Sequence, residues 1–435
     1  MRRISTLISI LALTLFAAAC TDEEPPADQE PEAGELVQSD KQRITEPEIA
    51  TEKVDQQIDG NTDFSFELYR AIAQRKQGEN IIYSPYSVSV ALAMTWAGAR
   101  SQTEDDMAST MHYVLPQAEL HPAFNYLDLQ LESRGEGAEG QDDEPFRLRI
   151  ANAIWGQQGF SFEQPFLDTL ALNYGAGLRL LNFQEDPEGS RETINEWVEW
   201  KTEERIKDLL PQGTIRPSTR LVLTNAIYFN AAWKHKFAEE MTRPGDFTTA
   251  EGSTVEADMM TQMQDFKYAQ VNGMETIELP YDGDEVSMLF VVPDDFGVTE
   301  QSFDRSTLDS IDAALETKKV ELTMPKFEFT TPTKLTEIFR EDLGMESAFI
   351  GADFSGMSTQ ADLVITDILH KAFILLDESG TEAAAATAVI VGETSEPTPD
   401  VTMNIDKPFL FFIRDNPTGS ILFAGRVLDP TSQGE

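Results

Sequence analysis

Four histidines, His112, His121, His235 and His370, and a single cysteine, Cys20, are the side chains best suited to proton transfer or nucleophilic attack, and none stands in a pattern that would use it. A zinc hydrolase would set two histidines on one helix face with a glutamate between them. A serine esterase would hold its serine between glycines on a strand-to-helix elbow, and a nucleotide enzyme would carry a glycine-rich phosphate loop. The chain contains none of these motifs. Acids outnumber bases 76 to 33, so any pair chosen as general acid and base would be uninformative. "YDGDE", residues 281 to 285, groups acids but lacks the ligand spacing of a calcium loop and reads as a hairpin turn. The expectation is a protein with no catalytic residue, no metal and no cofactor.

Cys20 has a setting that suggests a covalent fate. Arg2 and Arg3 precede an apolar run from Ile4 to Ala19, sixteen residues that are too few to span a bilayer comfortably but suit a secretory signal. Ala17, Ala18 and Ala19 then lead into Cys20, an arrangement similar to the cleavage box of bacterial lipoproteins, in which the thiol is lipidated and the cysteine becomes the new N-terminus. A leucine is commoner where Ala17 stands, and an ordinary signal cleavage site is the alternative. Residues 1–19 are thus expected to be a signal peptide. The mature chain would be exported across the inner membrane of a bacterium and held by its lipid at the periplasmic face or the cell surface. More than one acyl chain makes such an anchor firm. With one cysteine, no intramolecular disulfide is possible.

The elements that would position any function begin later. Between residues 21 and 60 there are thirteen acids, three bases (Lys41, Arg43, Lys53) and four prolines, which predicts an acidic disordered tether over 20–60 and a folded domain over 61–435. "TDFSFELYRAIA" spaces Phe64, Leu68 and Ile72 as on a helix, with Asp63 as its cap. "SVSVALAMTWAGA" is a second, mostly apolar helix introduced by Ser84 and Pro85. "SRETINEWVEWKTEERIKDLL" is an amphipathic helix with Ile194, Trp197 and Val198 on one face, and "RGEGAEGQDDEP" (134–145) an exposed loop. Strand-like runs follow at "RLVLTNAIYF", "METIELPY", "VSMLFVVP", "KKVELTMPKFEF", "KPFLFFIR" and "SILFAGRVL". Helices dominate the first half and strands the second, with no internal repeat, so a single α+β domain is expected. A net charge of −43 and the lack of a basic stripe exclude nucleic acid as a partner.

One stretch has no settled local preference. In "DESGTEAAAATAVIVGETSEPTPD" (377–400), Ala383, Ala384, Ala385 and Ala386 favour helix, Thr387 to Val391 favour strand, and Pro397 and Pro399 end both. This stretch, with "KPFLFFIRDNPTGSILFAGRVLDP" after it, resembles the reactive loop and C-terminal strands of the serpins, suicide inhibitors of serine and some cysteine proteases. "NIIYSPYSVSVALAMTWAGA" from Asn80, "LNFQEDPEGSRETINEWVEWKTEERIKDLLP" from Leu181, "LVLTNAIYFNAAWKHKF" from Leu221, "MPKFEF" from Met324 and "HKAFILLDESGTEAAAATA" from His370 agree in order and spacing, so that the match spans roughly 61–430.

The resemblance implies the serpin fold, about nine helices and three β-sheets with an exposed reactive-centre loop at about 378–400, and a monomer whose partner is a target serine protease held as a covalent acyl-enzyme complex. It places the reactive bond between Thr394 and Ser395, with Glu393 as the alternative, and the hinge at Glu378, Gly380, Thr381, Glu382 and the four alanines. A polar gate of the central sheet falls on Ser84, Ser87, Asn225 and His370, and Trp233 and Phe237 fall near the top of the sheet. Thr394 would suit a small-residue pocket of the elastase or subtilisin kind, whereas a cut after Glu393 would indicate a glutamate-specific enzyme. The other readings are a non-inhibitory surface binding lipoprotein and a cross-class inhibitor of cysteine proteases.

The residues themselves suit insertion as a strand. Thr381, Ala383, Ala385, Thr387, Val389 and Val391 alternate onto one face that carries no charge, and Glu382 lies on the other. From Gly380 to Thr394 the extended chain would reach roughly 50 Å. Its new ladder and buried valines would contribute on the order of 10 to 20 kcal/mol.

Overall fold

The computed structural model describes residues 30–140, 145–360, 362–381 and 398–433. Among these residues the chain runs through β1 (Glu35–Val37), α1 (Thr51–Arg75), β2 (Ile81–Tyr83), α2 (Pro85–Trp96), α3 (Ser101–Thr110), α4 (Gln117–Glu132), β3 (Arg147–Gln157), α5 (Gln164–Tyr174), β4 (Leu178–Leu181) and α6 (Pro187–Lys201). Strands then dominate: β5 (Leu221–Ala232), β6 (Arg243–Thr248), β7 (Thr254–Val271), β8 (Met274–Pro280) and β9 (Val286–Pro293) precede the short α7 (Phe296–Ser302) and α8 (Arg305–Ala314). The rest is β10 (Glu316–Pro325), β11 (Phe327–Lys334), α9 (Leu335–Glu337), β12 (Ile365–Leu376), β13 (Gly380–Thr381), β14 (Val401–Asn404), β15 (Phe409–Asp415) and β16 (Ile421–Val427).

The first sheet has the order β1-β4-β3-β5-β13-β12-β11, and below β13 the strands β5 and β12 pair directly and in parallel. β5 alternates between two cores. Leu221, Leu223, Ile227, Phe229 and Ala231 face the main core with α2, while Val222 and Ala226 face α6, where Ile194, Trp197 and Val198 pack as their spacing predicts. Burial on both faces accounts for its mostly apolar sequence, since every residue of β5 is buried, the polar Thr224, Asn225 and Asn230 included. α2 is buried throughout as well, with Ser84 as its N-cap and Pro85 in its first turn.

The remaining strands form one hydrogen-bonded network, β14-β10-β7-β8-β9-β15-β16-β2, with β6 beside β7. The expected second and third sheets are continuous here because β7 is eighteen residues long, and it pairs with β6 in its first part and with β8 in its last. "YDGDE" forms the hairpin turn between β8 and β9.

Three expected boundaries move. α1 starts at Thr51, not near Asn61, and Asp63 lies within the helix, where it pairs with Arg305 instead of capping an end. α6 stops at Lys201, short of Leu210. The disordered tether expected over 20–60 does not extend through residues 30–60, which pack on the body. β1 adds to β4 in antiparallel register, Ala33 is buried, and Gly34, at φ +72°, sits where a Cβ would fall 2.5 Å from the Leu180 carbonyl oxygen. The few bases of this segment find partners: Arg43 reaches Asp128 at 2.5 Å, Glu132 at 2.7 Å and Asn125 at 2.8 Å, and Lys41 meets Asp168 at 2.7 Å. Composition indicated disorder because it does not see the surface against which a short acidic segment can pair.

Candidate functional site: the seam between β5 and β12

At the top of the first sheet the chain leaves β12, turns through Asp377–Ser379 and re-enters as β13 between β12 and β5, antiparallel to both. Gly380 pairs with Ala232, and Thr381 pairs with Ala231 on one side and Leu376 on the other. A Cβ at position 380 would lie 2.1 Å from the Ala231 carbonyl oxygen, so the entry point requires glycine.

Side chains hold this entry. Thr381 is buried, and its hydroxyl pairs with the Tyr281 hydroxyl at 2.7 Å. Tyr281 stacks on Trp233 with ring centroids 4.5 Å apart. Trp233 donates its indole N–H to the Asp377 carbonyl and its backbone N–H to that of Ser379, and the Phe237 N–H donates to the carbonyl of Glu378. The two aromatics thus lie at the top of the sheet, as expected. The Glu378 carboxylate, almost fully buried, takes the Lys326 ammonium at 2.8 Å and the Thr242 hydroxyl at 2.6 Å. Burial alone would raise its pKa, but Lys326 and Thr242 outweigh burial and hold it below the ordinary carboxylate value.

Lower in the seam, Ser84, Ser87, Asn225 and His370 meet in one cluster. His370 and Asn225 stand directly opposite each other on β12 and β5, and the Asn225 Oδ1 pairs with His370 Nδ1. The backbone N–H of Ser84 donates to His370 Nε2 at 3.1 Å, so Nδ1 must carry the ring proton. Asn225 Nδ2 donates to Ser87 Oγ at 2.6 Å, and Ser84 Oγ donates to the Leu422 carbonyl at 2.6 Å. Burial pushes the His370 pKa down to about 4 against the opposing effect of Asn225, so the ring is neutral at ordinary pH.

Sequence reasoning missed Asn152 on β3. Its Oδ1 accepts from Ser87 Oγ at 3.0 Å and from Asn225 Nδ2 at 2.6 Å, and its Nδ2 donates to the Ser87 carbonyl. The available signal was its place in an apolar alternation, Leu148, Ile150, Asn152, Ile154, where a polar residue on the buried face demands a partner. Tyr281 was read only as the first residue of a turn. The expected hinge residues Glu382 and Ala383–Ala386, the bond candidates Glu393, Thr394 and Ser395, and Cys20 lie outside the described residues.

The centre of the first sheet is thus a seam between parallel strands, entered from one end by the chain that follows one of them and tied lower down by a polar cluster. The profile described as Serpin (serine protease inhibitor) matches residues 59–430, and the chain belongs to that family. It is 37% identical over 378 residues to an uncharacterised serpin-like protein of Thermococcus kodakarensis, covering 86% of this chain and 85% of that one. To the human leukocyte elastase inhibitor it is 35% identical over 398 residues, covering 87% and 100%. Among solved structures, native tengpin, a thermophilic serpin, superposes with a TM-score of 0.79 at 27% identity over 91% of this chain and 99% of that one.

Proposed function

We propose that this chain is a suicide inhibitor of serine proteases that offers residues 378–400 as bait and, once cut and acylated to the protease, inserts Gly380–Thr394 between β5 and β12. The observation that carries this reading is β13, a two-residue strand already paired on both sides in the register that insertion would continue. Continuing it sends the uncharged alternation from Thr381 to Val391 toward the main core and Glu382 toward the α6 face. The target is a protease with a shallow pocket for small residues, cutting at Thr394–Ser395. Similarity to an inhibitor named for leukocyte elastase supports this choice over a glutamate-specific cut at Glu393. No enzymatic activity and no cofactor enter the mechanism, and the inhibitor acts as a monomer.

The test is a pair of substitutions. Thr381→Arg would place a guanidinium against the Tyr281 hydroxyl in a buried site, at a cost of several kcal/mol. Insertion then stalls while the acyl-enzyme hydrolyses, so this variant is cut at the wild-type bond but releases active protease. Glu382→Arg puts the same charge on the opposite face and retains trapping. Covalent adducts on a denaturing gel, with inhibitor molecules consumed per protease inactivated, give the readout. Equal trapping by both variants would overturn the insertion mechanism, and no adduct with the wild type against a panel of serine and cysteine proteases would favour the non-inhibitory binding lipoprotein.

We also propose that Cys20 is lipidated after removal of residues 1–19, anchoring the inhibitor to a bacterial membrane at the periplasmic face or cell surface. Protein made in a bacterial host should partition into detergent, whereas Cys20→Ser should stay aqueous or remain an uncleaved precursor. Equal partitioning of the two would refute the anchor.

A further inference from the structure

The N-terminal segment joins the body at a definite place. Glu30, the first described residue, accepts the Trp197 indole N–H at 2.9 Å and pairs with Arg179, whose guanidinium lies over the rings of Trp155 and Trp197 at 5.9 and 5.2 Å. The carbonyl of the buried Ala33 accepts from the same guanidinium. Burial would raise the pKa of Glu30, but the Trp197 N–H, Lys201 and Arg179 hold it below the ordinary carboxylate value, so the contact is ionised at neutral pH. The strand register fixes its height on the sheet. Leu36, Arg179, Trp155 and Val222 are successive partners across β1, β4, β3 and β5, and Val222 is one residue from the lower end of β5.

β13 enters nine residues higher, at Ala231, about 30 Å up the sheet. Its register also says where an inserted loop would end. Each step beyond Thr381 is a step back along β5, so in the inserted form Ile390 would come level with Val222 and Thr394 with Ser218, just below the end of β5. The cleaved residue would therefore rest at the same end of the sheet as the Glu30 contact, about 20 Å to the side across β5, β3, β4 and β1. Ten peptide units separate Cys20 from Glu30, and they span at most about 35 Å.

We infer that the lower pole of the molecule, where the N-terminal segment meets the body, is its lipid-facing pole and is also the pole that receives the trapped protease. The bait at the upper end then points away from the membrane and meets a protease arriving from the medium. Insertion draws that protease against the lipid surface, within the short reach of the segment that follows Cys20. The inference rests on the inhibitor reading and on the lipid anchor, and the experiment separates its failure from theirs.

Cys20 is the only thiol of the chain, so it takes one label or one lipid whatever its fate in the cell. The mature chain from Cys20 is coupled through this thiol to maleimide lipid in phosphatidylcholine vesicles that carry an energy acceptor, and a donor is placed on subtilisin. Energy transfer to the vesicle should rise severalfold from the encounter with subtilisin lacking its catalytic serine to the covalent complex. In solution, a donor on Cys20 and an acceptor on the protease should show the same rise. Cys20→Ser combined with Glu240→Cys moves the label to the short exposed turn that leads to Thr242, the partner of Glu378 at the upper end, and should show a fall instead. An adduct on the denaturing gel without a rise from Cys20, or with the same change at both labels, refutes the shared pole and leaves the inhibitor reading standing. A rise in solution but not on vesicles keeps the protease at the lower pole and refutes the lipid-facing assignment. No adduct overturns the inhibitor reading and the shared pole with it. Because the coupling is chemical, a failure of natural lipidation shows separately, in equal partitioning of wild type and Cys20→Ser, and removes the membrane while the shared pole stands.

Discussion

His370 carries the sharpest consequence of burial at the scale of single residues. Its folded pKa is depressed to about 4 from an unfolded value near 6.5, so between these limits the unfolded chain takes a proton that the folded chain refuses. Stability is therefore full above about pH 6.5 and falls with pH through that window, by about 1.4 kcal/mol per unit and about 3 kcal/mol in total. His121, also buried and depressed to about 3, acts in the same direction. Measured above pH 4.5, where most carboxylates stay ionised, the decline should lose about one proton's worth of slope in His370→Gln while the share of His121 persists. Denaturant midpoints at several pH values check this, and an unchanged slope would mean that His370 is not buried neutral. The protonated ring would also turn a second N–H toward the Ser84 amide, so acid should loosen the seam at the point where β5 and β12 are tied.

At the scale of elements, the register seeded by β13 predicts where the inserting strand lands. Six residues beyond Thr381, Thr387 would come to lie between Asn225 and His370, the pair whose hydrogen bond must break for the strand to pass. Its hydroxyl can both donate and accept, so it can satisfy the two groups it separates. Thr387 lies outside the described residues, and the expectation concerns the inserted form. Thr387→Val should leave the intact chain unchanged but reduce the stability gained on loop cleavage by about 1–3 kcal/mol, the cost of buried polar groups left unpaired, while Thr387→Ser should restore most of it. Denaturation of the cleaved forms measures the difference. The N-terminal segment shows the limit of reading elements from pattern: Val54 and Ile58 are buried on the first turns of α1, but their periodicity is diluted by acids that pair with nothing local.

For the whole molecule, the intact chain is expected to be metastable, because below β13 the seam holds a parallel pair where a complete antiparallel strand could sit. A nick between Val391 and Thr394 by a protease that does not form a lasting acyl-enzyme should raise the thermal midpoint by tens of degrees, since the ladder is completed without unfolding the rest. Scanning calorimetry before and after the nick is the measurement, and an unchanged midpoint would remove the driving force from the proposed mechanism. A net charge of −43 adds self-repulsion to both forms alike, so salt should raise both midpoints without closing the gap between them.

Much of this protein is local enough to read from the chain alone. The Ser84-Pro85 helix start, the face formed by Ile194, Trp197 and Val198, the strands from Leu221 onward and the turn at Tyr281–Glu285 follow from periodicity, capping and turn chemistry. The family motifs placed Ser84, Ser87, Asn225 and His370 together, although they are separated by up to 286 residues. Three things were decided only in three dimensions. Asn152 and Tyr281 acquired roles through partners on other strands, and a single polar or aromatic residue does not announce such partners. The segment from Glu30 to Ala50 found its order in ion pairs and an edge strand supplied by α4, α5 and β4. Thr381 became buried because β5 and β12 part at their upper ends to receive it. In each case the residue's own preference is weak and the deciding energy comes from groups distant in sequence, which a local pattern cannot contain.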